Sequence, residues 1–499
     1  MPSPRSPARC LLWLLALWPF LASAGDDPLR VGSKRFTEAY ILAQVLAQTA
    51  APHAKVELHA GLGNTAIVYE ALRAGQIDVY PEYAGTISLE ILKDPTATTP
   101  EAMNRQLAPL GLAVAVPLGF NDGYALAMRA ADARRLGIRT LGDLARHGEL
   151  KLGLSNEFLG RSDGWAGLAR RYGLPQQPVG MDHGLAYDAL AAGQVDAIDI
   201  YTTDAKIEHL GLAVLADDLG YFPRYDALLL YRLDLPQRLP AAWLALQGLA
   251  GRIDEPAMIA MNARAELQGV AFEVIARDFL AGGARPGDAQ RGFMAKLLGD
   301  DLARLTRQHL LLVGLSVALA MLIGIPLGIV VAARPAWRAV ALGLTGVLQT
   351  VPSLAMLAVL ISLLGAIGTL PALIALTLYA LLPILRNTCA GLAGVPGGLR
   401  LAALALGLSP RDRLVSIELP LAFPTLVAGV RTATVIAVGT ATIAAFIGAG
   451  GYGERIVTGL ALNDRQLLLA GALPAALLAL LCEGLFELFE GWMRRRQGR

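Results

Sequence analysis

The sequence predicts an α/β bilobal domain followed by an all-α polytopic membrane domain with five transmembrane helices. Three observations carry that expectation. Of 499 residues, 55% are hydrophobic and 17% charged, and mean hydropathy is +0.49, whereas soluble domains run at about 45–50% and about 25%. Charges are ordinary up to residue 308 and sparse beyond it, so two regions obey two solvents. The polar region also carries an internal echo, a segment that recurs with close similarity, which predicts two similar lobes.

The first element is an export signal over residues 1–24. Arg5 and Arg9 precede the apolar run Cys10 to Ala22, which ends in Ala22-Ser23-Ala24. A basic start, a short apolar core and small residues at the end are the features of a secretory signal. Cys10 stands before the apolar run, so lipidation is not predicted. The polar region behind this signal is expected outside the cytoplasmic membrane, in the periplasm of a cell with two membranes.

Residues 25–281 form the second element. Short β-branched runs such as Leu29-Arg30-Val31-Gly32 alternate with helical patterns such as Glu38 to Gln48, which predicts α/β layers. Tyr69-Glu70-Ala71-Leu72-Arg73-Ala74-Gly75-Gln76-Ile77-Asp78 recurs as Tyr187-Asp188-Ala189-Leu190-Ala191-Ala192-Gly193-Gln194-Val195-Asp196. Each copy reads as a helix end capped by glycine and followed by a strand, one per lobe. Tyr80 and Tyr83 come after the first copy and Tyr201 after the second. Strand ends of open α/β lobes are where ligands bind; spacing alone leaves a shared cleft and a buried core equally open for these tyrosines.

Residues 282–308 read as a linker and residues 309–490 as the membrane domain, with 491–499 as a cytoplasmic tail. Leu310 to Ala333 is uncharged and long enough to span a core of about 30 Å. The uncharged stretch between Arg338 and Arg386 is too long for one span and divides at Gly365 to Pro371. Further spans cover Leu426 to Gly448 and Gln466 to Cys482. Arg334, Arg338, Arg386, Arg400, Arg411, Arg413 and Arg494 to Arg496 fall on one side, which is therefore the cytoplasmic side. Arg291, Lys296, Arg304 and Arg307 oppose this, but a domain already committed to export is little affected by local charge.

Several chemistries are excluded. The net charge of +2 offers no basic surface for nucleic acid. Cys10, Cys389 and Cys482 leave the polar stretch without a disulfide framework, and the six histidines form no His-Glu-x-x-His pair, so no metal site is predicted. Gly448-Ala449-Gly450-Gly451-Tyr452-Gly453 comes after an apolar span rather than a strand, which rejects a dinucleotide site. No motif supports enzymatic activity. No Gly-x-x-x-x-Gly-Lys-Ser/Thr loop occurs, so this chain holds no cofactor, and ATP with its magnesium is expected on a separate subunit.

Between the third and fourth spans the chain reads Gly398-Leu399-Arg400-Leu401-Ala402-Ala403-Leu404-Ala405-Leu406-Gly407, then, after Leu408 to Ser416, Ile417-Glu418-Leu419-Pro420. This resembles the EAA loop of ABC importer permeases, in which Glu-Ala-Ala, three residues, Gly, nine residues and Ile-x-Leu-Pro occur in order. Ala402, Ala403, Gly407, Ile417, Leu419 and Pro420 are in register, and Leu401 stands where the pattern has Glu. The polar half resembles binding proteins for glycine betaine, carnitine and choline. The resemblance lies in Gly32-Ser33-Lys34-Arg35-Phe36-Thr37-Glu38, Tyr80-Pro81-Glu82-Tyr83-Ala84-Gly85-Thr86, Phe158-Leu159-Gly160-Arg161-Ser162-Asp163-Gly164 and Phe222-Pro223-Arg224-Tyr225-Asp226. Gln349-Thr350-Val351-Pro352-Ser353 and the Gly448 to Gly453 segment are similar to the permease partner of those proteins.

The resemblance implies a type II periplasmic-binding-protein fold fused to a type I ABC permease domain. It implies a box of Tyr83, Tyr124, Tyr201 and Tyr225 around a quaternary ammonium, with Lys34, Thr86 and Arg161 as donors to a carboxylate on the same ligand. A cation that cannot donate hydrogen bonds is well served by ring faces, each contributing about 0.5–2 kcal/mol. Glycine betaine, carnitine, choline and proline betaine belong to the implied class, the carboxylate donors favouring a zwitterion over bare choline, and ergothioneine meets the same requirements. The implied partners are a cytoplasmic ABC ATPase on the loop 398–420, membrane lipid and a second copy of the chain. Two rival readings, a ligand-gated channel and a membrane-anchored receptor, leave the EAA-like loop without a purpose.

Overall fold

The computed structural model of the chain describes residues 27–283, 292–462 and 464–496; the expected signal segment and the end of the expected tail lie outside them. The first lobe is built on β1 (Leu29–Gly32), β2 (Val56–His59), β3 (Val79–Tyr83), β4 (Leu112–Ala115) and a late strand, β10 (Ala227–Arg232), in the order β2-β1-β3-β10-β4. The second lobe uses β5 (Tyr124–Arg129), β6 (Leu152–Ser155), β7 (Val179–Met181), β8 (Ala197–Tyr201) and β9 (Leu212–Val214), in the order β7-β6-β8-β5-β9. Position for position the two orders are the same: parallel strands on one side, then one antiparallel strand lent by the neighbouring part of the chain.

The sequence echo is this repetition seen locally. Helix α1 (Thr37–Ala50) packs behind the first sheet, and α2 (Thr65–Arg73) ends at Gly75, with φ +72°. Helix α3 (His183–Ala191) ends at Gly193, with φ +71°, a left-handed conformation that glycine adopts without steric cost. The Gln76 and Gln194 N–H groups each donate to the carbonyl five residues back, both at 2.9 Å. Asp78 then accepts the Arg30 N–H at 2.8 Å, as Asp196 accepts the Lys151 N–H at 2.9 Å.

The chain crosses between lobes at 116–123 and again at 215–226. These crossings are bonded to one another: the Asp122 N–H donates to the Tyr225 carbonyl at 3.1 Å, and the Tyr225 N–H donates to the Asn121 side chain at 2.8 Å. Helix α4 (Glu255–Glu266) returns over the first lobe, with Asp254 capping its start by accepting the Ala257 N–H at 2.8 Å.

Among the described residues, the membrane half has four helices long and apolar enough to cross a bilayer, and five spans if a bent pair counts as one. They are α5 (Leu302–Ala332), the pair α6 (Pro335–Thr350) and α7 (Ser353–Leu364), bent by 100°, then α8 (Thr369–Ala393), α10 (Leu419–Ala441) and α12 (Arg465–Arg496). Between α8 and α10 lies the short α9 (Gly397–Ala405), and between α10 and α12 lies α11 (Gly453–Ala461). Residues 302–308 of the expected linker are continuous with the first span. Small residues set the packing, as lipid supplies no hydrophobic drive between helices. A Cβ at Gly328 of α5 would lie 2.6 Å from Thr388 of α8, and one at Gly429 of α10 would lie 2.6 Å from Asn387. At the Thr350–Ser353 break, the carbonyl of Val351 is satisfied by the Tyr379 hydroxyl at 2.6 Å.

The two halves meet at the turn between α7 and α8 and at the segment after α10. The Gln76 amide donates to the Gly365 carbonyl at 2.9 Å and accepts the Ile367 N–H. The Arg35 guanidinium lies 4.6 Å from the Phe446 ring centroid, and Leu62 packs on Gly448.

Candidate functional site

Aromatic rings from both lobes meet in one continuous group. Tyr124 opens β5 and Tyr201 closes β8, and the antiparallel register sets them opposite each other with ring centroids 5.1 Å apart. Tyr225 sits in the second crossing, 5.7 Å from Tyr124 and edge-on to it. Tyr83, at the end of β3, joins through Phe36, which is 6.2 Å from Tyr83 and 5.3 Å from Tyr201. Phe158 and Phe222 flank Tyr124 at 5.1 and 6.5 Å. Tyr80 is separate: the pleat turns it to the opposite face of β3, where it is fully buried in the core of the first lobe with Leu62 and Leu72. The core reading therefore holds for Tyr80; Tyr83 is buried as well, at 5% exposure and within the hydrophobic core, whereas Tyr201 is half-buried and lines a cavity.

The three donors named from the sequence are all buried. Arg161 is bidentate to Asp163 at 2.7 and 2.5 Å, and its Nη2 also reaches the Thr86 hydroxyl across the lobes at 3.3 Å. Its guanidinium lies 5.2 Å from the Tyr124 ring, and Tyr225 donates to Asp163 at 2.7 Å. Lys34 is held apart from this group: its ammonium pairs with Glu82 at 2.5 Å and lies 4.7 Å from the Tyr83 ring. Thr86 and Arg161 are thus brought together, with Lys34 against its own carboxylate.

A second polar group, missed in the sequence, closes the lobes beside the rings. Glu38, in the first turn of α1, accepts from the Tyr83 hydroxyl at 2.5 Å, from the Thr203 hydroxyl of the other lobe at 2.6 Å and from the Asn262 amide of α4 at 3.2 Å. Burial pushes its carboxyl up to about 7. Burial also pushes Asp122 well above the carboxylate range, with Glu38 adding to it. Asp122 lies 2.9 Å from the same Thr203 hydroxyl and also accepts the Thr203 N–H at 3.3 Å. Burial alone would lower His183, yet Asp204, 3.0 Å away, and Asp199 hold it well above its ordinary value. Glu38 lies inside the Gly32 to Glu38 motif, which was a usable signal; Thr203 and Asn262 carry none.

In the EAA-like loop, α9 is followed by Gly407, with φ +73°, and Ser409 caps the next turn by accepting the Asp412 N–H at 3.2 Å. Leu401 is 69% exposed, Ala402 is exposed and Ala403 is buried. Ile417 and Leu419 are half-buried, and Pro420 is exposed at the start of α10. Glu418 ties both limbs together, 3.2 Å from Arg400 and 3.1 Å from Arg413. Leu404 and Leu406 join Leu401 on the exposed surface. A solvent-facing apolar group beside a charged clamp is the character of a docking surface.

Two folding lobes around aromatic rings, joined to a helical bundle with a loop of this form, define a transporter component. Residues 27–282 match the substrate binding domain of ABC-type glycine betaine transport system, and residues 324–495 match the binding-protein-dependent transport system inner membrane component. The chain belongs to these families, as a binding domain and a permease domain fused in one polypeptide. It is similar to the ergothioneine transport permease/ergothioneine binding protein EgtU of Helicobacter pylori (strain G27), 32% identical over 281 residues, 54% of this chain and 50% of that protein. The aligned part of the chain therefore spans half of EgtU's length. The permease half is similar to the osmoprotectant import permease protein OsmW of Salmonella typhimurium (strain LT2), 46% identical over 37% of this chain and 88% of that one. The binding half is similar to a glycine-betaine-binding protein of Pseudomonas aeruginosa, 34% identical over 54% of this chain and 92% of that one.

Proposed function

We propose that this chain captures a quaternary ammonium compound outside the cytoplasmic membrane and passes it inward as the binding and membrane-spanning component of an ATP-driven importer. The observation that carries the reading is the ring group Tyr83, Phe36, Tyr201, Tyr124 and Tyr225, drawn from both lobes and the crossing between them. A methylated cation has no N–H to donate, and ring faces attract it without one. Arg161 and Thr86, bonded across the lobes, are the donors for a ligand carboxylate. Glycine betaine, carnitine, choline and proline betaine belong to the class. Ergothioneine is the second reading, favoured by the similarity to EgtU.

In this reading the binding domain faces the periplasm, and the arginine-bearing ends of the helices face the cytoplasm. Hydrolysis of ATP belongs to a separate ABC subunit seated on residues 401–420, and two copies of the chain form the pore with two-fold symmetry. Fusion keeps the captor at high effective concentration over its pore.

The test is calorimetric titration of the full chain in nanodiscs with glycine betaine, carnitine, choline and ergothioneine, repeated with Tyr201→Ala and Arg161→Ala. At least one compound is expected to bind. Tyr201→Ala is expected to weaken it by about 3- to 30-fold, from the value of one ring face, and Arg161→Ala by tenfold or more for ligands that carry a carboxylate. A chain that binds none of the four rejects the assignment.

A further inference from the structure

The offset between the two echo copies sets His183, Tyr201 and Asp204 where the first lobe has Thr65, Tyr83 and Thr86. The two tyrosines therefore close equivalent strands, yet they are fixed by different means. Tyr83 is tied through its hydroxyl, which donates to Glu38 at 2.5 Å. Tyr201 instead carries an imidazole on its ring. The His183 and Tyr201 centroids are 4.4 Å apart with the planes 35° from each other, a closer approach than Phe36 at 5.3 Å or Tyr124 at 5.1 Å.

His183 is itself firmly held. It is the first residue of α3, whose start Asp182 fixes by accepting the Gly184 N–H at 3.0 Å. Its Nε2–H donates to Oδ2 of Asp204 at 3.0 Å, and its Nδ1 faces Asp199 at 3.9 Å. The Tyr187 ring stands edge-on to it at 5.7 Å. The same Asp204 oxygen accepts the Tyr201 N–H at 2.9 Å and the Tyr187 hydroxyl at 2.6 Å. One carboxylate thus sets the backbone of Tyr201, the imidazole on its ring and the ring beside that imidazole. Burial disfavours the imidazolium, but Asp204 and Asp199 outweigh it, and the same pair balances its charge, so Tyr201 meets an anchored flat wall rather than a bare cation.

We propose that His183 is a positioning residue for the captured cation: anchored by Asp204, it holds the Tyr201 ring in one orientation, so that a ring face is already presented when a quaternary ammonium arrives. The proposal rests on the reading of the ligand as a quaternary ammonium compound. Attraction of a cation to a ring is directional, favourable over the negative face and unfavourable at the positive edge. Tyr201 is half-buried at the last position of its strand, and a side chain that must be ordered on binding subtracts that cost from the affinity. The His183 wall removes the cost beforehand. Acting only through Tyr201, it can contribute no more to affinity than the Tyr201 ring does.

The experiment is a double-mutant cycle on the full chain in nanodiscs, read by calorimetry, with the tightest binder among glycine betaine, carnitine, choline and ergothioneine as the probe. His183→Ala is expected to weaken the probe by about three- to tenfold in the wild-type background, from the ordering of one side chain. In the Tyr201→Ala background the same change is expected to cost less than about twofold, because the group it acts through is gone. His183→Phe, which returns a ring to that face, is expected to bind at least twofold tighter than His183→Ala. Asp204→Asn, which loosens the anchor, carries the same cycle with the same expectation if His183→Ala fails to fold. Unchanged affinity in His183→Ala, an equal loss with and without the Tyr201 ring, or a His183→Phe no tighter than His183→Ala overturns the positioning role and leaves the ligand class standing. A wild-type chain that binds none of the four compounds overturns both.

Discussion

Glu38 bonds the two lobes to each other. It receives bonds from Tyr83 of its own lobe and from Thr203 of the other, and burial holds it near 7 against an ordinary 4.5. Opening the cleft returns water to the carboxyl and lowers that value, so the closed form binds the proton more tightly. The resulting stabilisation of the closed form is full below about 4.5 and is lost as pH rises through about 7. Asp122 acts in the same direction. The unfolding midpoint of the full chain is therefore expected to fall between pH 5 and pH 8, and Glu38→Gln is expected to flatten much of that slope in a fluorimetric pH series. An equally steep slope in the variant would assign the titration elsewhere. Tyr83 and Tyr201 were legible because the echo sets both at the ends of equivalent strands. Thr203 and Asn262 were not, because they reach Glu38 across 165 and 224 positions of sequence and no local pattern encodes such a meeting.

Among the elements, the loop around Gly407 is the part most plainly written in the sequence. A helix, a left-handed glycine and a capped second turn succeed one another as the spacing requires. Legibility ended at Glu418, whose position in the motif is free yet whose carboxylate clamps Arg400 and Arg413. Glu418→Ala removes that clamp without touching the apolar surface, and Leu401→Asp does the reverse. Both are expected to reduce ATPase subunit recovered with the chain, Leu401→Asp more strongly, while ligand affinity stays within twofold. Gly407→Val forces a branched residue to φ +73°, at about 1–2 kcal/mol, and is expected to act like Glu418→Ala. The bend of 100° between α6 and α7 was only half legible. Pro352 marks a break, but the angle depends on Tyr379 of another helix reaching the freed carbonyl.

At the scale of the whole molecule, capture and passage are joined through Gln76, a residue of the first echo copy that bonds to the turn between α7 and α8. Gln76→Leu strands two backbone groups at that junction. It is expected to leave ligand affinity within twofold and to diminish ligand stimulation of ATP hydrolysis in the assembled transporter; unchanged stimulation would mean that this contact carries no signal. The matching strand orders of the lobes have a further consequence. The crossings at 116–123 and 215–226 are bonded into a two-stranded ribbon, which resists sliding of one lobe past the other. Tyr225 rides on that ribbon with its ring against Tyr124 and its hydroxyl on Asp163, the partner of Arg161. Under the proposed function, cargo held against Tyr225 would bear directly on the ribbon that joins the lobes, so that filling the site and setting the angle between the lobes would be one event.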